Sequence, residues 1–190
     1  MDATAAALLY TLLAAAVTAG WTRERLRRSA TSAPEGFWPG TTRAPAAAHF
    51  AAASAMLLIT VAESVVEIRT GVAERQSVLT GLSLLSLIAA AVVEETVFRG
   101  FAAPSWLTGP GLLGVVLGGS AVFALIHGFD VSTAQGRISL AFAFVTSLGL
   151  YVARFNPLNP DRSLAPCLTA HIVRNLAVFG VKWAQGFVLW

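Results

Sequence analysis

Charged residues are scarce in this chain, and their scarcity excludes a soluble globular protein. Asp, Glu, Lys and Arg make up 12% of the 190 residues, and 56% of the residues are hydrophobic. A soluble domain carries about 25% charged residues. A transmembrane helix needs about 20 mainly apolar residues, so the chain has room for several such helices but for no sizeable soluble domain. The composition predicts an integral, multi-pass membrane protein with a single membrane domain.

Cysteine is nearly absent, and so is any concentrated basic surface. The single cysteine, Cys167, excludes an intramolecular disulfide and a CxxC site. The net charge is +3, but the arginines flank apolar segments, as the positive-inside bias produces. No nucleic-acid-binding motif is visible. The sequence therefore predicts the lipid bilayer as a partner, and no nucleic acid.

Long apolar runs, by contrast, are plentiful. Six of them lie at about 3–21, 45–66, 77–106, 111–128, 138–153 and 164–188. Backbone polar groups in hydrocarbon must be satisfied within the chain, and none of these runs alternates with period two as barrel strands do. All six should be helices. The predicted fold is an all-α, polytopic transmembrane bundle of about six spans.

A basic run follows the first apolar segment instead of preceding it. It consists of Arg23, Arg25, Arg27 and Arg28. A signal peptide carries its positive charge before the apolar stretch, so this order predicts a retained span whose C-terminal end faces the cytoplasm. The distribution of the remaining arginines predicts that both termini lie outside.

Two adjacent glutamates interrupt the third apolar segment. Each ionisable side chain in the bilayer costs about 2.5–3.5 kcal/mol on insertion scales, so Glu94 and Glu95 require a cavity or a partner. Glu95 and Arg99 are four residues apart, share a helix face and can pair. Glu94 points about 100° away and is the freer carboxylate. The alternative is a helix end at the interface, where both glutamates are hydrated.

Two further pairs of residues have the same four-residue spacing in apolar segments. Phe123 and His127 form one pair, and His171 and Asn175 form the other. Each pair can point into one cavity. Taken alone, a histidine on an apolar helix is more often structural than catalytic. The second pair could equally be an interhelical hydrogen-bonding pair that helps assembly.

The turn Gly109-Pro110-Gly111 relates the first two groups to each other. If the third and fourth spans form a hairpin about it, Glu94 and His127 lie at equal depth, because 110 − 94 = 16 and 127 − 110 = 17. Pro104 should kink the helix on the way to the turn. His171 can join them only if the last helix begins within the membrane, after an irregular segment buried in protein. The fourth span contains Gly114, Gly118 and Gly119, and the GxxxG spacing permits close helix packing. Ordinary membrane-helix composition is an equal alternative.

Three motifs occur in a fixed order, and together they carry a family resemblance. They are Glu94-Glu95-x-x-x-Arg99, Phe123-x-x-x-His127 and His171-x-x-x-Asn175, with Phe98-Arg99-Gly100 and Leu-Ala-Pro-Cys167 as context. Over roughly residues 84–180 the chain resembles the CAAX-protease and bacteriocin-processing family of intramembrane endopeptidases, which includes the prenyl endopeptidase Rce1. The resemblance implies motif-free membrane spans over residues 1–75 and an Rce1-like catalytic membrane core over residues 76–190.

The resemblance also implies roles for the motif residues. Glu94 would polarise the attacking water, and His127 would share that water. His171 and Asn175 would form the oxyanion hole. The supporting residues would be Glu95, Arg99 and Phe123. We expect no cofactor, a peptide or protein substrate that is lipidated or membrane-embedded, and a location in the bacterial plasma membrane.

Other functions remain compatible with the same residues. A zinc-dependent protease would use Glu94, His127 and His171 as ligands, although HExxH is absent. Cys167 and His171 have the spacing of a thiol dyad, but a buried cysteine is usually a small hydrophobe. A transporter or proton relay would use the same glutamate and histidines together with Glu63 and Glu67. A non-catalytic immunity scaffold is the last alternative.

Overall fold

The computed structural model describes residues 3–31, 36–73 and 78–189, which form six α-helices, a π-helical segment and two short strands. The helices are α1 (Ala3–Thr31), α2 (Ala46–Arg69), α3 (Gly81–Glu94), α4 (Gly109–Ile126), α5 (Ala134–Arg154) and α6 (Ala165–Ala184). The π-helical segment Glu95–Phe101 continues α3, and the strands are β1 (Leu79–Thr80) and β2 (Val188–Leu189).

Four of these helices are long and apolar enough to cross a membrane. They are α2, α3 with its π-helical continuation, α4 and α5. The prediction of an all-α, multi-pass membrane fold is confirmed. Each of the six predicted spans corresponds to a helix, although α1 runs on through the basic residues to Thr31. The predicted domain boundary between residues 75 and 76 lies outside the described residues.

The third span ends differently from the prediction. Pro104 does not kink a helix, because the helical segment ends at Phe101 and Pro104 lies in the loop that follows. Before that end, the helix widens into a π-turn, and the backbone N–H of Ala102 donates to the carbonyl oxygen of Val97 at 2.9 Å. Such five-residue turns are rare and occur frequently at functional sites. Here the π-turn begins at Glu95, directly after Glu94.

The start of α6 is held by a buried irregular segment. Asn159 is fully buried, and its side-chain amide donates to the carbonyl oxygens of Ala153, Arg154 and Ser163 at 2.9–3.2 Å. Backbone of this kind is tolerated at membrane depth only where protein surrounds it. Pro166 then occupies the first turn of α6, where a missing N–H costs no hydrogen bond. The arrangement agrees with the irregular, buried segment that the sequence requires before His171.

The core lies between α2, α5 and α6. Its fully buried members include Met56 of α2, Leu150 of α5 and Cys167 of α6, and Leu164 joins them from the residue before α6. The thiol of Cys167 donates to the carbonyl oxygen of Leu150 at 3.3 Å. Cys167 is therefore a packed core residue, in agreement with the interpretation of this cysteine as a small hydrophobe.

Close helix packing in α4 occurs at Gly119. A Cβ atom at Gly114 or Gly118 would meet nothing within 4 Å, so the predicted contact at that pair is wrong for the described chain. A Cβ atom at Gly119 would collide with the hydroxyl of Tyr151. That hydroxyl donates to the carbonyl oxygen of Phe98 at 3.1 Å. Gly119 thus lets α4 approach α5 beside the π-helical segment.

Candidate active site

The four predicted catalytic residues line one cavity of about 670 Å³. Glu94 is the last residue of α3, His127 caps the C-terminus of α4, and His171 and Asn175 lie one turn apart on α6. Three separate segments therefore contribute to this one cavity. The volume is within the range of about 300–1,000 Å³ that ligand sites occupy.

The two glutamates have different environments. Glu95 is fully buried and accepts a hydrogen bond from Nη1 of Arg99, itself fully buried, at 3.0 Å. The pairing predicted from their spacing is therefore present. Nη2 of Arg99 also donates to the backbone carbonyl oxygen of Ser147 at 3.0 Å and to its hydroxyl at 2.5 Å. Glu94 keeps 19% of its side chain exposed and faces the cavity.

Aromatic rings surround the buried guanidinium group. Arg99 lies 4.6 Å from the ring centre of Phe123 and 4.8 Å from that of Tyr151. The Phe123 ring also lies 4.7 Å from the ring of His127 and 6.1 Å from that of His171. Phe123 thus contacts Arg99 and both imidazoles.

His171 lies between the two carboxylates. Its Nδ1 is 2.8 Å from Oε1 of Glu95, and its Nε2 is 3.8 Å from Oε2 of Glu94. Because the Glu95 oxygen also accepts from Arg99, it is an acceptor for the Nδ1–H of His171. The Nε2 atom of His171 is then directed toward Glu94. It accepts a hydrogen bond when the ring is neutral and donates one when the ring is protonated.

His127 is held by its own helix end. Its Nδ1 lies 2.6 Å from the carbonyl oxygen of Phe123, and a carbonyl oxygen can only accept, so Nδ1 carries the proton. In the neutral ring Nε2 is consequently an acceptor. The ring is exposed and stacks on Phe129 at a centroid distance of 5.6 Å. His127 is therefore suited to accept a hydrogen bond from water.

Asn175 is nearly buried, with 6% of its surface exposed. Its Nδ2 donates to the carbonyl oxygen of Leu87 at 2.9 Å, which orients the amide against α3. An amide nitrogen has two N–H donors, so a second donor remains on the same atom. This second N–H is the group that Asn175 can offer to a reacting molecule in the cavity.

The sequence profile of the family described as type II CAAX prenyl endopeptidase, Rce1-like, matches residues 76–177. The chain belongs to this Rce1-like family. No curated protein and no solved structure matches it. The chain is thus a CAAX-type intramembrane protease, a hydrolase that acts on a peptide or protein, and an integral membrane protein.

The other end of the cavity in this Rce1-like protease is also charged. Arg174 of α6 donates to Glu63 of α2 at 2.7 Å, and Glu67 and Lys182 line the same end. The sequence analysis named Glu63 and Glu67, but it missed Arg174 as a partner. The signal was an arginine inside an apolar helix, between two motif residues. This ion pair joins the second span, which carries no motif, to the helix that carries the third motif.

The rim of the cavity carries a further carboxylate, Asp130, in the loop after α4. The hydroxyl of Ser132 donates to Asp130 at 2.6 Å and its backbone N–H at 3.0 Å. These hydrogen bonds, the hydroxyl first, lower the pKa of Asp130 below its ordinary value. Asp130 is therefore ionised at neutral pH and adds negative charge at the rim.

The same cavity residues are the candidates for metal ligation. Within residues 3–31, 36–73 and 78–189, no three His, Cys, Asp or Glu side chains are grouped so that they could hold an ion. Nδ1 of each cavity histidine is hydrogen-bonded, to Glu95 in His171 and to a backbone carbonyl in His127, an arrangement that is also common in histidines that bind a metal through Nε2. A zinc ion would bind to Nε2 of His171, to Nε2 of His127 and to the carboxylate of Glu94.

Ser147 is a positioning residue that the sequence analysis missed. It lies four residues before Tyr151 on α5, and both face Arg99. The only indication in the sequence was a serine and a tyrosine four residues apart in an apolar helix, which places both on one helix face. They carry no motif, so nothing in the sequence connected them to Arg99.

We expect Ser147→Ala to lower kcat for peptide cleavage by about tenfold, because one charge-assisted hydrogen bond is worth about 1.5–3 kcal/mol and the backbone acceptor remains. The measurement is peptide cleavage by the purified variant, together with its thermal unfolding. Ser120→Ala is the matched control, since Ser120 is buried and its hydroxyl has no hydrogen-bond partner in the described chain. Equal activities of the two variants would contradict a role for Ser147 in holding Arg99.

Proposed function

We propose that this Rce1-like protease hydrolyses a peptide bond of a membrane-associated substrate with a water molecule activated by Glu94 and His127, and that it needs no cofactor. One observation carries the proposal. The carboxylate of Glu94 reaches the cavity, whereas that of Glu95 is fully buried and committed to Arg99. Glu94 is therefore the carboxylate that can meet a water molecule and a substrate.

In this proposal the reaction proceeds in two steps. Glu94 accepts a proton from the water as the water oxygen bonds to the carbonyl carbon, and Nε2 of His127 accepts the second water hydrogen as a hydrogen bond. The tetrahedral intermediate then collapses. The C–N bond breaks, and the proton held by Glu94 passes to the leaving nitrogen. General acid–base catalysis of this kind contributes about 10²–10⁴-fold.

Asn175 and His171 are the proposed donors to the oxyanion. Asn175 offers the N–H of Nδ2 that Leu87 does not use. His171 donates from Nε2 when its ring is protonated. Donors of this kind in a site that excludes water are worth about 2.7–4 kcal/mol each. Both residues lie on α6, one turn apart, so one carbonyl oxygen can face both.

The proposed substrate is a lipidated or membrane-embedded peptide, and the proposed location is the bacterial plasma membrane. The family's description as a CAAX prenyl endopeptidase supports a substrate of this kind. The cavity supports a substrate segment that carries polar groups, because charged side chains of both signs line it and can form hydrogen bonds with such groups.

The test is cleavage of a prenylated peptide and its unprenylated counterpart by the purified protein in detergent. We expect Asn175→Ala to lower kcat by about 10²–10³-fold through loss of one oxyanion donor. A proton relay would tolerate this change. Cys167→Ala is the matched control on the same helix and should stay active, since the thiol lies in the core and away from the cavity.

The same assay decides between water activated by Glu94 and zinc. We expect activity to persist after chelation and dialysis. Loss of activity on chelation, followed by recovery with zinc, would contradict the proposal and would favour the metal mechanism. Loss of most activity in Cys167→Ala would point instead to a thiol nucleophile.

A further inference from the structure

A second cavity is an open groove between α1 and α3, with a volume of about 790 Å³. Its floor includes Ala15 and Ala19 of α1, and its walls include Leu85 and Ile88 of α3. It shares no lining residue with the catalytic cavity, because the two cavities use different faces of α3. The groove is therefore separate from the site of peptide cleavage.

One stretch of the groove has a length close to that of one leaflet of a membrane. The lining on α1 runs from Thr11 to Leu26, and the stretch from Thr11 to Arg23, twelve residues at 1.5 Å each, spans about 18 Å. Half of a hydrocarbon core of about 30 Å is about 15 Å. Small residues on α1 leave the space open, and Leu85 and Ile88 provide an apolar wall. A groove with these dimensions fits an extended acyl chain.

A positive charge lies near one end of the groove, one helical turn before Leu26, the last lining residue of α1. Arg23 lines it and is exposed, and in the part of the chain that the structure describes it has no hydrogen-bond or ion-pair partner. Its neighbours in the basic run are engaged. Arg25 lies over the ring of Trp21 at 5.1 Å, and Arg28 donates to Thr41 at 2.9 Å. The guanidinium of Arg23 is thus available for an anionic group.

We propose that this groove binds an anionic phospholipid, with one acyl chain along α1 and α3 and its phosphate held by Arg23. Arginine binds phosphate through two parallel N–H donors, which favours an anionic headgroup at this end. Charge and length together favour a lipid over a second copy of the chain. The lipid of a substrate is disfavoured, because α3 separates the groove from Glu94 and the rest of the catalytic cavity.

The test uses the full chain in mild detergent and native mass spectrometry with phosphatidylglycerol or phosphatidylcholine of identical acyl chains. We expect at least about tenfold tighter binding of phosphatidylglycerol, because its headgroup carries a net negative charge opposite Arg23, whereas the quaternary ammonium of phosphatidylcholine neutralises the charge of its phosphate. Arg23→Gln should reduce this binding to the level of phosphatidylcholine. Ala19→Leu and Ala15→Leu, which fill the groove, should weaken the binding of both lipids. Arg69→Gln, at the exposed end of α2 and outside the groove, is the matched control.

Three results would overturn the proposal. They are unchanged phosphatidylglycerol binding in both Arg23→Gln and Ala19→Leu, equal binding of the two lipids by the unmodified chain, and displacement of phosphatidylglycerol by a prenylated peptide. Glu94→Gln should bind phosphatidylglycerol as the unmodified chain does. The lipid site and the proposed peptide cleavage can therefore fail independently of each other.

Discussion

Glu94→Gln should lower kcat for peptide cleavage by about 10²–10⁴-fold, the usual contribution of a general base, while the protein still inserts and folds. Glutamine keeps the size and polarity of the side chain but cannot take a proton from water. The buried network is left intact, since Glu95, Arg99 and His171 keep their mutual hydrogen bonds. Cleavage of the prenylated peptide and thermal unfolding in detergent, measured on the same preparation, give both quantities.

Asp130→Asn is the matched control for Glu94→Gln. Both variants remove one carboxylate from the lining of the same cavity. Asp130 lies at the exposed rim, and hydrogen bonds from Ser132 keep its pKa low, so it is a poor base near neutral pH. We expect Asp130→Asn to retain most of the activity. Undiminished cleavage by Glu94→Gln, or an equal loss in both variants, would contradict Glu94 as the base.

The sequence predicted the pairing beside Glu94 well, because the residues that form it lie on one helical segment. Glu95 and Arg99 pair across one helical turn, as their spacing requires. Glu94 and His127 reach the same cavity, although α4 packs against α5 and does not form the predicted hairpin with α3. Periodicity is a property of short segments, and a single sequence contains it.

Long-range partners were not predictable in the same way. Ser147 meets Arg99 across 48 residues, and Arg174 meets Glu63 across 111 residues. Neither contact has a periodic signature, because each depends on how two separate helices rotate about their axes. The π-helical turn at Glu95 was not predictable either. It contacts α5, where Tyr151 donates to the carbonyl oxygen of Phe98, and no residue type in the segment specifies the turn.

The start of α6 shows how a constraint can be predicted without its cause. The position of His171 required an irregular segment buried in protein, and residues 155–164 provide one. The side chain that satisfies its backbone is Asn159, which binds three carbonyl oxygens. The sequence showed an Asn- and Pro-rich stretch there, but which asparagine would be buried follows only from the fold.

Arg99→Met should have the largest effect on folding. It leaves the Glu95 carboxylate fully buried without its cation, and breaking a buried ion pair by removing one partner costs about 3–5 kcal/mol. The double variant Glu95→Gln with Arg99→Met removes both charges, and we expect it to recover most of this loss. Its activity should stay low, because the carboxylate that accepts from Nδ1 of His171 and orients the ring is lost.

The control for that experiment is the second ion pair of the cavity. Arg174 and Glu63 keep 16% and 13% of their side chains exposed, whereas Arg99 and Glu95 keep none. Water can reach Glu63, so Arg174→Met should destabilise the protein less than Arg99→Met does. Unfolding in detergent, followed by loss of helical circular dichroism, measures both. A double variant at Glu95 and Arg99 that is as unstable as Arg99→Met would show that Arg99 acts through its aromatic contacts and not through the charge of Glu95.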